Sequence, residues 1–158
     1  MHRDIHPYTF LPGTKAFRNR GTKQYNENPH TVGGHIRKKR IEGGLSQKEA
    51  AKSLGVTEDC VTYWENGRSA PQVRHYPAII RFLGYYPFDH ETESLAGMLT
   101  QIRYCCGLSF RACASLLCVS EDGARRWERG RPVAHPKTRL LIERAWQHLP
   151  NRLPSHRS

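Results

Sequence analysis

Leu45-Ser46-Gln47-Lys48-Glu49-Ala50-Ala51-Lys52-Ser53-Leu54-Gly55-Val56-Thr57 decides the fold. Ser46 followed three residues later by Glu49 is a capping box, so a helix starts at Ser46. Ala50, Ala51 and Leu54 form its buried face, and the two small residues let another helix approach closely. Gly55 ends it, as the natural occupant of a left-handed C-terminal position. After Val56, Thr57 caps the next helix, and Glu58 and Asp59 complement its positive N-terminal end. Val61 and Trp64 face inward, and Gly67 closes this second helix.

Working outward, Thr31 caps a helix over about 32–42, stopped by Gly43-Gly44. Ile36 and Ile41 point inward there, while Arg37, Lys38, Lys39 and Arg40 lie mostly outside. Pro71 leads to a further helix over roughly 76–83, with Ile79, Ile80, Phe82 and Leu83 apolar. Two short helices joined by a three-residue turn with glycine have the spacing of a helix-turn-helix.

The pattern occurs twice. Gly44-Leu45-Ser46 recurs as Gly107-Leu108-Ser109, and Trp64-Glu65-Asn66-Gly67-Arg68 as Trp127-Glu128-Arg129-Gly130-Arg131, both 63 residues later. Over 44–68 and 107–131, 12 of 25 positions are identical, and Arg40 also matches Arg103. Two copies are too few for a solenoid, so they read as tandem domains of one fold.

The stretch from Ile36 to Thr57, with Trp64-Glu65-Asn66-Gly67-Arg68-Ser69-Ala70-Pro71, resembles the phage repressor and Cro type of helix-turn-helix, the Xre family. The shared features are an arginine-rich first helix, Leu-Ser-Gln opening the second, Leu-Gly-Val at the turn and Trp-Glu-Asn-Gly closing the third. The likeness is close over 31–86 and looser over 94–148. It implies an all-α chain of two tandem five-helix-type, lambda-repressor-like domains. It also implies a bacterial or phage transcriptional regulator, a repressor ahead of an activator, whose partner is double-stranded DNA. The organisation expected is a basic irregular arm at 1–30, domain 1 at 31–86, a linker at 87–93, a divergent domain 2 at 94–149 and a tail at 150–158.

In such domains the third helix enters the major groove and the second crosses the phosphate backbone. Gln47 matches the contact residue that opens the second helix, next to Ser46. Its amide can donate to phosphate or read adenine; a solvated glutamine beside the cap is the alternative. Thr57, Glu58, Asp59, Cys60, Thr62 and Tyr63 are candidates for the groove-facing side. The two carboxylates either accept from cytosine or serve only the helix end. Asn66 and Arg68 follow the helix, where phosphate contacts are common, and Trp64 belongs to the core. Arg37, Lys38 and Arg40 are either phosphate contacts or a solvated charged face.

The second copy departs at Gln47→Phe110, Gly55→Cys118 and Glu49→Ala112, yet gathers Arg111, Arg125, Arg126, Arg129 and Arg131 around its second and third helices. It either binds phosphate with weaker base reading or has turned to packing or dimerisation. A final helix over 136–149 closes the second domain; a homodimer interface is the alternative.

The net charge of +11 fits an acidic partner, and blocks 31–72 and 94–132 carry +2 and +3 of it. No apolar run reaches the ~18 residues of a membrane helix, and the N-terminus lacks a secretory apolar stretch, so the expected address is cytoplasmic, at the bacterial cytoplasm or nucleoid. Five cysteines without CxxC spacing suggest neither a disulfide framework nor zinc, and Cys113 aligns with core Ala50. No phosphate loop, dinucleotide motif or catalytic constellation is present, so no enzyme, cofactor, metal or small-molecule substrate is expected. The rivals are an antitoxin or adaptor that binds protein through copy two, for which exposed Phe110 and Trp146 would speak, and an architectural factor for recombination.

Overall fold

Thr31 accepts the Gly34 N–H at 3.0 Å and opens α1, Val32–Glu42. Ser46 opens α2, Gln47–Leu54, with both halves of its capping box made: Glu49 N–H to Ser46 Oγ at 3.2 Å and Ser46 N–H to Glu49 Oε2 at 2.8 Å. Thr57 opens α3, Glu58–Glu65. A 3₁₀ turn, Val73–His75, runs directly into α4, Tyr76–Leu83. The later helices are α5, Leu95–Cys106, α6, Phe110–Leu116, α7, Glu121–Glu128, and α8, Pro136–Gln147. These elements belong to a computed structural model that describes residues 29–88, 94–132 and 135–149. The tail expected at 150–158 and all but the last two residues of the arm expected at 1–30 lie outside the described residues.

The local construction recurs with the sequence offset. Ser94, Ser109 and Ser120 cap α5, α6 and α7 through the N–H groups of Gly97, Ala112 and Gly123, just as Thr31, Ser46 and Thr57 cap α1, α2 and α3. The left-handed positions also pair: Gly44 with Gly107, Gly67 with Gly130, and Gly55 with Cys118. Among the described residues Cys118 is the non-glycine residue with positive φ, at 53° against 67° at Gly55. The left-handed conformation costs an L side chain about 1 kcal/mol or more. Cys118→Gly should therefore raise stability by about 1 kcal/mol in urea melts, and no change or a loss would contradict this reading.

Among the described residues no unit has five α-helices. Four α-helices and the 3₁₀ turn precede Tyr86, and four α-helices follow among the described residues. Between Gly67, at φ +68°, and Pro77 at the start of α4, the chain makes a single 3₁₀ turn.

Two hydrophobic cores form, and α4 serves both. Ile36, Ala51, Leu54, Val61, Trp64, Ile79 and Leu83 build the first. The second takes Ile80 and Tyr86 together with Leu99, Ile102, Cys105, Cys113, Leu117, Ile142 and Leu149. Neighbouring Ile79 and Ile80 thus go to different cores. Phe88 lies in the stretch expected to be a linker. Its ring centroid lies 4.6 Å from those of both Tyr76 and Tyr104, tilted against the first and edge-on to the second, so the three rings bury one another. The remaining linker positions, 89–93, lie outside the described residues. α8 covers the second core with Ile142 and donates from Trp146 Nε1 to Gln101 Oε1, which leaves Leu140 and Leu141 exposed.

Candidate nucleic-acid interface

The α2–turn–α3 unit is fixed by an ion pair that crosses from α1. The Arg40 guanidinium donates from Nε to Glu65 Oε1 at 2.7 Å, from Nη2 to Glu65 Oε2 at 2.8 Å and from Nη1 to the Leu45 carbonyl at 3.0 Å. The Glu65 side chain is 2% exposed. Arg40 thus turns inward instead of lying on the outer face of α1, because a nearly buried carboxylate needs a bidentate partner. Arg37 and Lys38 are half-buried on the same helix.

Gln47 extends this network. Its Nε2 donates to Glu65 Oε2 at 3.0 Å, and its Oε1 accepts from Thr62 Oγ1 at 3.1 Å. The half-buried amide is held between α2 and α3. One Nε2 hydrogen and one lone pair of Oε1 remain for a ligand. Thr62 is consequently half-buried.

Thr57, Glu58, Asp59, Tyr63, Asn66 and Arg68 are exposed along and beyond α3. The Arg68 guanidinium carbon lies 6.0 Å from the Tyr63 ring centroid. Ser46 serves the cap of α2 and donates from Oγ to Glu49. Cys60 is half-buried and takes the Thr57 hydroxyl. Lys48 and Lys52, four residues apart on α2, are also exposed. They escaped the candidate set, although their spacing on one helix face was a readable signal.

The Ser46 N–H and hydroxyl hold the Glu49 carboxyl below its ordinary pKa of 4.5. Its folded carboxylate is favoured, so its stabilising contribution is present above pH 4.5 and is lost as pH falls through the lowered folded value. The stability difference between wild type and Glu49→Ala, followed by urea melts, should shrink on acidification; a difference that holds or grows contradicts the box.

In α5–α7 the same frame carries different chemistry. Arg103 repeats the pair of Arg40: Nε to Glu128 Oε2 at 2.7 Å, Nη2 to Oε1 at 2.9 Å and Nη1 to the Leu108 carbonyl at 3.2 Å. Phe110 and Arg125 stand where Gln47 and Thr62 stand 63 residues earlier. The guanidinium carbons of Arg103 and Arg125 lie 4.0 and 4.4 Å from the Phe110 ring centroid, so cation–π contacts replace the hydrogen bond. Arg125 and Arg126 also reach back to Glu121 at 2.6 Å and Asp122 at 3.3 Å. Such exposed i,i+4 pairs are worth about 0.3–0.5 kcal/mol, so the arginines can be redirected to a phosphate at little cost. Arg111, Arg129 and Arg131 are exposed.

Burial pushes the Cys105 and Cys113 thiols up to about 11, as suits core packing rather than reactivity. Among the described residues no three His, Cys, Asp or Glu side chains are placed to hold a metal ion. No helix among the described residues is long and apolar enough to cross a membrane.

A helix-turn-helix family model matches residues 36–90. No curated protein and no solved structure matches the chain. The matched stretch covers α2, α3 and α4, and it supports DNA binding as the general role of this part of the chain.

Proposed function

We propose that the chain is a sequence-specific double-stranded DNA-binding regulator of transcription, of bacterial or phage type and acting as a repressor, built from two tandem helix-turn-helix units. The observation that carries this reading is the exposed polar row of α3, presented by an α2–α3 pair that the Arg40–Glu65–Gln47–Thr62 network holds rigid. Positional accuracy of that kind is what base reading requires.

α3 reads base edges through Thr57, Glu58, Asp59 and Tyr63, with Gln47 at its flank. Asn66, Arg68, Lys48 and Lys52 meet phosphate. Arg40 holds the unit together. The second unit supplies phosphate contacts through Arg111, Arg125, Arg126 and Arg129, with Phe110 as an internal support. The recurring caps, left-handed positions and Arg–Glu pair support a second copy of the fold. Phe110 and Trp146, the expected signs of the adaptor reading, are half-buried: Arg103 and Arg125 pack on the Phe110 ring and Trp146 is bonded to Gln101. The regulator needs no cofactor and works in the cytoplasm, at the nucleoid.

Selection of bound sequences from a random duplex pool tests the reading. Wild type should enrich one motif. Gln47→Ala should relax it in part, while Arg126→Ala should keep the motif and lower the salt slope by about one. Failure of the wild type to enrich any motif contradicts the function, and an unchanged slope for Arg126→Ala contradicts the phosphate role of the second unit.

A further inference from the structure

We propose that Tyr63 is a methyl reader, whose ring packs on the C5-methyl group of one pyrimidine, thymine or 5-methylcytosine, in the major groove. This role rests on the DNA-reading function proposed above and names the group that one of its residues recognises.

The ring lies on the outermost face of α3. Val61 and Trp64 are buried, and Arg40 draws the Glu65 carboxylate in beside them. At 3.6 residues per turn, the side facing away from those three carries Asp59, Tyr63 and, at the end of the helix, Asn66, spaced i, i+4 and i+7. All three are exposed. Among the described residues the exposed large hydrophobic side chains are Tyr63, Leu116, Leu140 and Leu141, and only Tyr63 lies on α3. At 45% exposure the ring takes no part in the first core, so packing does not account for an aromatic residue there.

The chemistry around the ring favours base edges over phosphate. Glu58 and Asp59 open the helix with two exposed carboxylates, and Asp59 stands one turn before Tyr63. Phosphates repel these groups, whereas the cytosine amino group donates to them in the major groove. The apolar group that base edges present in that groove is the thymine C5-methyl, and 5-methylcytosine carries the same group at the same place. An exposed ring on this face has that methyl as its complement. The same two positions 63 residues later hold Asp122 and Arg126, which pair at 3.3 Å. With tyrosine in place of the arginine, α3 offers a carboxylate and an apolar ring where α7 offers an ion pair. The Arg68 guanidinium carbon, 6.0 Å from the ring centroid, is at the outer limit of a cation–π contact and borders the ring from beyond the helix.

The test takes the full chain and the duplex obtained by random selection. The duplex is remade with each thymine in turn replaced by uracil, and with each cytosine in turn replaced by 5-methylcytosine. At one position the wild type should lose affinity about 4-fold on removal of the methyl from thymine, or gain about 4-fold on its addition to cytosine, the effect of burying one such group. The two arms separate thymine from 5-methylcytosine as the source. Tyr63→Ala should erase the difference at that position, and Tyr63→Phe, which keeps the ring, should retain it. A difference lost in Tyr63→Phe assigns the contact to the hydroxyl and overturns the methyl reading. A motif without any methyl-sensitive position, or one whose every such position persists in Tyr63→Ala, overturns it while DNA reading stands. Enrichment of no motif at all overturns the DNA-reading function and this inference with it.

Discussion

Glu65→Ala should destabilise the protein by about 3–5 kcal/mol. The substitution leaves the Arg40 guanidinium in place without its bidentate acceptor, and Gln47 Nε2 also loses its partner. A charge stripped of its counterion inside a fold is far more costly than the pair was worth. Replacing both partners with apolar residues, as in Arg40→Met with Glu65→Leu, should therefore cost less than Glu65→Ala alone. Glu128→Ala should behave alike, since Arg103 repeats the geometry. Chemical denaturation of the variants measures these differences. A loss below about 1 kcal/mol for Glu65→Ala would show that the pair does not hold α1 to α3.

Gly33→Ala should cost at least about 3 kcal/mol, at the upper end of what overpacking does. A Cβ there would lie 1.8 Å from the Trp64 carbonyl oxygen and 2.4 Å from its carbon. Both atoms are backbone at the end of α3, so no side-chain rotation relieves the overlap, and α1 must move away. That movement also pulls Arg40 from Glu65, so DNA affinity should fall together with stability. Gly34→Ala is the comparison, because its added Cβ would meet chiefly the side chains of Pro29 and Thr31, at 2.8 and 3.2 Å. Ala96 stands 63 residues after Gly33, so the second crossing has room for a methyl. Equal melting temperatures for wild type and Gly33→Ala would refute the close crossing.

The helices were legible in the sequence because their ends are written locally. Thr31, Ser46 and Thr57 cap where a side-chain oxygen precedes a helical run, and Gly55 sits left-handed where only glycine is comfortable. α4 matched its expected span because Pro77 falls at its start and Gly84 just past its end. The inward turn of Arg40 was not legible from helix periodicity, since its partner lies 25 residues away on another helix. A signal existed nonetheless: Arg40 and Glu65 both persist in the repeat as Arg103 and Glu128, whereas most surface charges change. The shared role of α4 escaped for a related reason. Adjacent apolar residues at 79 and 80 read as one broad stripe, although they bury into separate cores. The replacement of a Gln–Thr hydrogen bond by a Phe–Arg stack depends on which positions of α6 and α7 face each other, which needs the fold.

Affinity measured on the selected duplex and on a scrambled duplex of equal length, at one physiological salt concentration, tests the account most directly. A sequence reader should prefer the selected duplex by about 1,000-fold or more. Equal affinity for both would reduce the protein to a non-specific phosphate binder and contradict the role assigned to α3.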